Sequence, residues 1–116
     1  MKISIYETLK SMFKKTRNVE DSSIDYKSAK MILKNDKDAK LVDVRSPQEY
    51  KEDHLPSSIN IPLYKLEEQC QTFLPNINMA IIVYCQSGNR SNKAIEILQS
   101  KGYKNLYNIE GGLDNM

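Results

Sequence analysis

Short apolar runs alternate with stretches whose apolar residues recur every three or four positions, the spacing of a helix with one buried face. Leu41-Val42-Asp43-Val44-Arg45 and Ser58-Ile59-Asn60-Ile61 read as strands, the second stopped by Pro62. Ala80 to Tyr84 is the most hydrophobic run and is predicted to be the central strand of a buried sheet. Asn105 to Ile109 makes a last strand, and Ile24 a short edge strand. Gly111-Gly112 makes a turn. Between these runs the pattern predicts helices. Asp25 is placed as the N-cap of a helix through Tyr26, Ala29, Met31 and Leu33 that ends near Asn35-Asp36. In Ser46-Pro47-Gln48-Glu49, Ser stands at N-cap, Pro at N1 and Glu at N3, a capping box opening a short helix through Tyr50 and Lys51. Leu63, Leu66, Cys70, Phe73 and Leu74 mark a helix from Leu63 to Phe73 that must end before Pro75. Ala94, Ile95, Ile97 and Leu98 mark another from Asn92 to Ser100, closed by Lys101 and by Gly102 at C′. Such alternation of strand and helix predicts one α/β domain with a mostly parallel sheet.

Ahead of this domain, residues 3–17 carry Ile5, Leu9, Met12 and Phe13 at helical spacing with lysines between them. Residues 1–18 are therefore read as an amphipathic helical extension of a domain spanning 19–116, with the polar stretch from Asn18 to Ser23 leading into it. Four apolar residues make a narrow stripe, which favours packing on the same domain over a membrane surface. A protein partner for residues 1–17 is the second role the stripe allows.

Composition narrows the class. A chain of 116 residues with 40% hydrophobic and 28% charged content suits one soluble globular domain with a modest core. The net charge of +2 is too small to argue for nucleic acid. It is unevenly spread: residues 1–17 hold Lys2, Lys10, Lys14, Lys15 and Arg17 against Glu7, a local +4 that leaves −2 for the rest. The two cysteines, Cys70 and Cys85, and the single histidine form no metal-ligand cluster and no disulfide framework, so no metal or other cofactor is expected. No run approaches the roughly 18 apolar residues of a membrane span. The N-terminus has no uninterrupted apolar segment before a small-residue cleavage site, and the chain is read as cytoplasmic.

The candidate chemistry lies at the end of the central strand, where Ile81-Ile82-Val83-Tyr84 leads into Cys85-Gln86-Ser87-Gly88-Asn89-Arg90-Ser91. A Gly-containing polar loop closed by a helix N-terminus turns backbone N–H groups inward and forms an anion cradle. A thiol delivered into that positive field is favoured as the nucleophilic thiolate, and Arg90 adds a permanent charge. Cys85 is thus the candidate nucleophile, and Gln86, Ser87, Gly88, Asn89, Arg90 and Ser91 the candidate binding loop. Arg90 is expected to assist anion binding and, second to that, to tie the loop to a carboxylate. Ser87 and Ser91 supply hydroxyl donors or cap the following helix. Asp43 and Arg45, at the end of a neighbouring strand, are read as supporting the site through an ion pair rather than as catalysts. Cys70 sits on the apolar stripe of its helix and is read as a core thiol.

Three stretches together resemble the rhodanese family, over residues 19–116. Leu41 to Tyr50, with His54-Leu55-Pro56 and Ile59-Asn60-Ile61-Pro62, looks like the family's strand–helix signature ending in a His-containing turn. Cys85 to Ser91 is similar to the active loop of single-domain rhodaneses, and Glu110-Gly111-Gly112 to the family's closing turn. The resemblance implies a five-stranded parallel sheet flanked by helices. It also implies transfer of a sulfane sulfur through a Cys85 persulfide, from a donor such as thiosulfate or a persulfide to an acceptor such as a thiol or cyanide. For His54 and Glu49 it implies a local structural hydrogen bond rather than a catalytic dyad. The chain departs from the family pattern after Gly112: it has no tryptophan, and with only Leu113-Asp114-Asn115-Met116 to follow, the last helix is expected to be short or absent.

Two other readings compete. A sulfur-relay or binding module would use the N-terminal helix to dock a partner that is the true donor or acceptor. A small phosphatase or arsenate reductase would use the same kind of loop. Tyrosine phosphatases, however, place five residues between their Cys and Arg, and here only four separate Cys85 from Arg90. The shorter loop suits one sulfur atom better than a tetrahedral oxyanion.

Overall fold

The computed structural model describes residues 22–116, and the amphipathic segment read at residues 1–18 lies outside them. Five strands form one parallel sheet in the order β1-β5-β4-β2-β3. They are β1 (Ser23–Ile24), β2 (Lys40–Asp43), β3 (Ser58–Asn60), β4 (Ala80–Tyr84) and β5 (Asn105–Ile109). The connecting helices are α1 (Tyr26–Asn35), α2 (Pro47–Glu52), α3 (Leu63–Phe73) and α4 (Asn89–Ser100), and a 3₁₀ turn covers Gly112–Asn115.

Every residue of β4 is buried, which requires cover on both faces. One face is closed by α3 and α4: Ile81 and Val83 share a cluster with Leu66, Cys70, Leu74, Ala94, Ile95 and Leu98. The other is closed by α1: Ala80, Ile82 and Tyr84 pack with Ala29, Ile32, Leu41 and Tyr107. The helix termini follow local chemistry. Asp25 accepts the Ser28 N–H at 2.7 Å and caps α1. At α2 the box closes in both directions, Ser46 Oγ accepting the Glu49 N–H at 3.2 Å and Glu49 Oε1 accepting the Ser46 N–H at 3.0 Å.

Four boundaries differ from the sequence reading, the first being that β2 begins at Lys40, one residue ahead of Leu41. Strand β2 stops at Asp43 rather than Arg45, because the Asp43 carboxylate accepts the Arg45 backbone N–H at 2.8 Å and turns the chain out of the sheet. Strand β3 stops at Asn60, one residue short of Ile61. Helix α4 begins at Asn89 rather than Asn92, with Gly88 as its N-cap at φ 102°. Half of the Gln86–Ser91 loop that sequence alone sets before the helix, Asn89 to Ser91, is thus in its first turn.

The chain starts in edge strand β1, enters β2, moves outward to β3, crosses back past β2 to β4, and then moves out the other way to β5, which fits between β4 and β1. The crevice where this direction reverses, beyond the C-terminal strand ends, is where open parallel sheets place their ligand sites. Asp43 of β2 lies beside Tyr84 of β4, so Arg45 and Cys85 emerge next to one another at that crevice.

Candidate active site: a cysteine in an N–H cradle

Cys85 is the first residue past β4, and its side chain is 1% exposed. Its Sγ accepts the Gly88 N–H at 3.0 Å and the Ser91 N–H at 3.4 Å, and lies 3.4 Å from Ser91 Oγ. Ser91 Oγ also donates to the Gly88 carbonyl at 3.1 Å, which ties the first turn of α4 together. The sulfur therefore sits at the positive end of a 12-residue helix, met by two of the four N–H groups that a helix start leaves unpaired.

The 3₁₀ turn supports the loop from behind. The Cys85 carbonyl accepts the Leu113 N–H at 3.0 Å, and the Gln86 carbonyl accepts the Asp114 N–H at 2.9 Å. Because a trans peptide is planar, drawing these carbonyls toward the turn aims the Gln86 and Ser87 N–H groups the opposite way. No acceptor among the described residues takes the N–H of Gln86, Ser87, Asn89 or Arg90. A Cβ on Gly112 (φ +61°) would stand 2.3 Å from the Cys85 oxygen and 2.7 Å from the Gln86 oxygen, so the turn can approach this closely only as glycine.

Two ion pairs frame the loop. Arg45 and Asp43, 2% and 0% exposed, form a buried forked pair: Nε lies 3.1 Å from both carboxylate oxygens and Nη2 2.8 Å from Oδ2. Burial alone would lower the basicity of Arg45, but its hydrogen bonds to Asp43 and that residue's charge outweigh it and raise the guanidinium further. Arg45 also donates to the Asp53 carbonyl at 2.6 Å and reaches Gln86 Oε1 at 3.4 Å, linking β2 to the cradle. The second pair joins Arg90 to Glu49 through two prongs, 2.6 Å and 3.0 Å. The hydrogen bond from Arg90 outweighs desolvation and, with the Ser46 N–H, holds the Glu49 carboxyl down at about 2.

Of the residues singled out by sequence, Cys85, Gly88 and Ser91 come together around the sulfur. Ser87 lies exposed on the loop, and Asn89 exposed at the first position of α4. Gln86 turns its amide to Asp114, Nε2 donating to Oδ1 at 2.7 Å. Arg90 spends both prongs on Glu49, where the sequence reading sets anion binding ahead of a structural tie. His54 does not meet Glu49: its Nδ1 lies 2.8 Å from the Tyr50 carbonyl and its ring stacks on Tyr50 at 3.8 Å. Cys70 is fully buried in the core. The Glu49–Arg90 pair, the Asp114 contact and the backing role of Gly112 were not identified from sequence. Their partners are 41, 28 and about 27 positions apart, and only the Gly-Gly dipeptide carries a local signal.

Among the described residues, no group of three or more His, Cys, Asp or Glu could hold a metal ion, and no helix is long and apolar enough to cross a membrane.

A parallel α/β sheet with a cysteine in a helix-start N–H cradle at its switch point defines a domain built to hold negative charge on sulfur. The chain belongs to the rhodanese family, whose rhodanese-like domain model matches residues 26–116. It is 40% identical over 75 residues to thiosulfate sulfurtransferase PspE of Escherichia coli, covering 65% of this chain and 71% of that protein. It is 33% identical over 116 residues to thiosulfate:glutathione sulfurtransferase of Saccharomyces cerevisiae, covering 90% and 83%. A rhodanese-like domain protein from Staphylococcus aureus has a similar solved structure, with a TM-score of 0.70, 30% identity, and coverage of 80% and 88%. Two further relatives are longer proteins, of which the chain spans only 30% and 18%.

Proposed function

We propose that the protein is a sulfurtransferase that carries a sulfane sulfur as a persulfide on Cys85. The observation that carries this reading is the Cys85 sulfur held against the Gly88 and Ser91 N–H groups at the start of α4. The relatives named as sulfurtransferases support it. The Cys85 thiolate attacks the outer sulfur of a donor such as thiosulfate. A new S–S bond forms, the donor's S–S bond breaks with its electron pair, and sulfite leaves. Cys85–S–S⁻ remains, its terminal charge placed where the Gln86, Ser87, Asn89 and Arg90 N–H groups can receive it. A thiophile such as cyanide or a thiol then takes the outer sulfur and restores the thiolate. Two covalent half-reactions predict ping-pong kinetics.

Intact mass after brief exposure to thiosulfate tests the reading. The expected result is a gain of one sulfur on the wild type, reversed by cyanide and absent from Cys85→Ser. No gain on the wild type, from thiosulfate or from a hydropersulfide, would overturn it.

A further inference from the structure

Among the described residues, the cations that touch the cradle are already matched by carboxylates. Arg90 is the only Lys or Arg between Gln86 and Ser91. Its two prongs are held by both oxygens of Glu49, which is locked in turn by the Ser46 N–H. Glu49, held at about 2, stays ionised throughout the neutral range. On the other rim, Gln86 holds the Asp114 carboxylate. Arg45, which reaches Gln86, is buried with Asp43 and also paired with Asp53. Two guanidinium groups thus meet three carboxylates, and a fourth, Asp114, is held by Gln86, around a loop whose backbone is built for an anion.

The burial of Cys85 turns this balance into selection. Displacement at sulfur needs the attacking, central and leaving atoms close to a line. Because Cys85 is 1% exposed, the donor's sulfur enters the cradle and its leaving group stays at the mouth. Sulfite leaving from thiosulfate is a dianion. A hydropersulfide reacts as Cys85–S⁻ + HS–SR → Cys85–S–SH + RS⁻, so only one negative charge develops at the mouth. There it faces Glu49 and Asp114, and the charge of Arg90 is already matched by Glu49.

From this geometry we infer that Glu49 is a specificity-determining residue, which turns the site away from dianionic donors and toward hydropersulfides of uncharged thiols. The inference rests on the persulfide reading above and assigns its donor class.

The test compares initial rates of Cys85 sulfur loading, followed by intact mass, on the full chain and on Glu49→Gln. Two donors are used, thiosulfate and the hydropersulfide of 2-mercaptoethanol, with Cys85→Ser as the blank. Gln at N3 still serves a capping box, so α2 keeps its start. The wild type is expected to load with higher kcat/KM from the hydropersulfide. Glu49→Gln, with Arg90 released from its charged partner, is expected to raise thiosulfate loading relative to hydropersulfide by on the order of tenfold, mainly through a lower KM. Added salt should narrow the wild-type difference by screening. An unchanged donor ratio in Glu49→Gln would overturn the inference, as would a parallel loss with both donors, which would mark Glu49 as a structural clamp only. If the wild type loads from neither donor, the persulfide reading itself falls, and this inference with it.

Discussion

Removing one charge from the Asp43–Arg45 pair strands the other where neither side chain meets water. A buried pair broken on one side costs about 3–5 kcal/mol, since the remaining ion keeps its desolvation cost and loses its partner. Asp43→Asn preserves the shape and an acceptor for the Arg45 N–H, so its effect isolates the charge. Urea denaturation should show a loss of that size; a loss within the range of an exposed ion pair would mean that water or Asp53 compensates Arg45. At this scale the sequence was legible wherever the signal was local. Cys85, Gly88 and Ser91 lie within seven positions and could be read as one loop. Asp43 and Arg45 are two apart at a strand end and were read as a pair. The partner of Arg90 was not legible, because Glu49 already had a complete local explanation as the N3 residue of a capping box. A residue satisfied by its neighbours gives no sign of a second, distant bond.

Among elements, the 3₁₀ turn has the most influence on the site per residue. It supplies no group to the sulfur, yet its Leu113 and Asp114 N–H groups fix the direction of two loop peptides. Gly112→Ala would place a Cβ against the Cys85 and Gln86 carbonyls at a backbone angle unfavourable to side chains. The expected cost is about 1–3 kcal/mol, with the loop displaced as well. Thermal unfolding should report the first effect and the rate of thiosulfate loading the second. If the variant melts earlier but loads sulfur at the wild-type rate, the turn stabilises the fold without orienting the cradle. Helices α1, α2 and α3 were legible from caps and prolines. The start of α4 was not: its first three residues are polar and form no apolar stripe, so the pattern began only at Asn92. The true start is fixed by Gly88, which takes a left-handed turn that the loop reading left unassigned.

For the whole molecule, the sequence conveyed the class but not the arrangement. A strand buried on both faces shows no alternation, so β4 could be recognised as central while the side on which each helix packs stayed hidden. The strand order likewise rests on contacts between residues far apart in the chain. One consequence of that arrangement is open to measurement: Glu49–Arg90 bolts α2, on the β2 side of the sheet, to α4, on the β5 side, and its strength should follow acid titration. The Glu49 carboxyl sits at about 2 in the folded chain against an ordinary 4.5, so folding favours the ionised form. The stabilisation is then complete above 4.5 and is lost as pH falls toward 2, where proton uptake by the unfolded chain pulls the equilibrium. The Asp25 cap, lowered by its bonds to Ser28, acts in the same direction. Both side chains of the Glu49–Arg90 pair are partly exposed, so the effect is modest and screened by salt. Comparing the wild type with Glu49→Gln removes the Asp25 contribution, which both share. The difference in melting temperature should be largest near neutrality and shrink between pH 5 and 2. A difference that stays constant across that range would mean that the pair contributes through shape and hydrogen bonding, with no part for its charge.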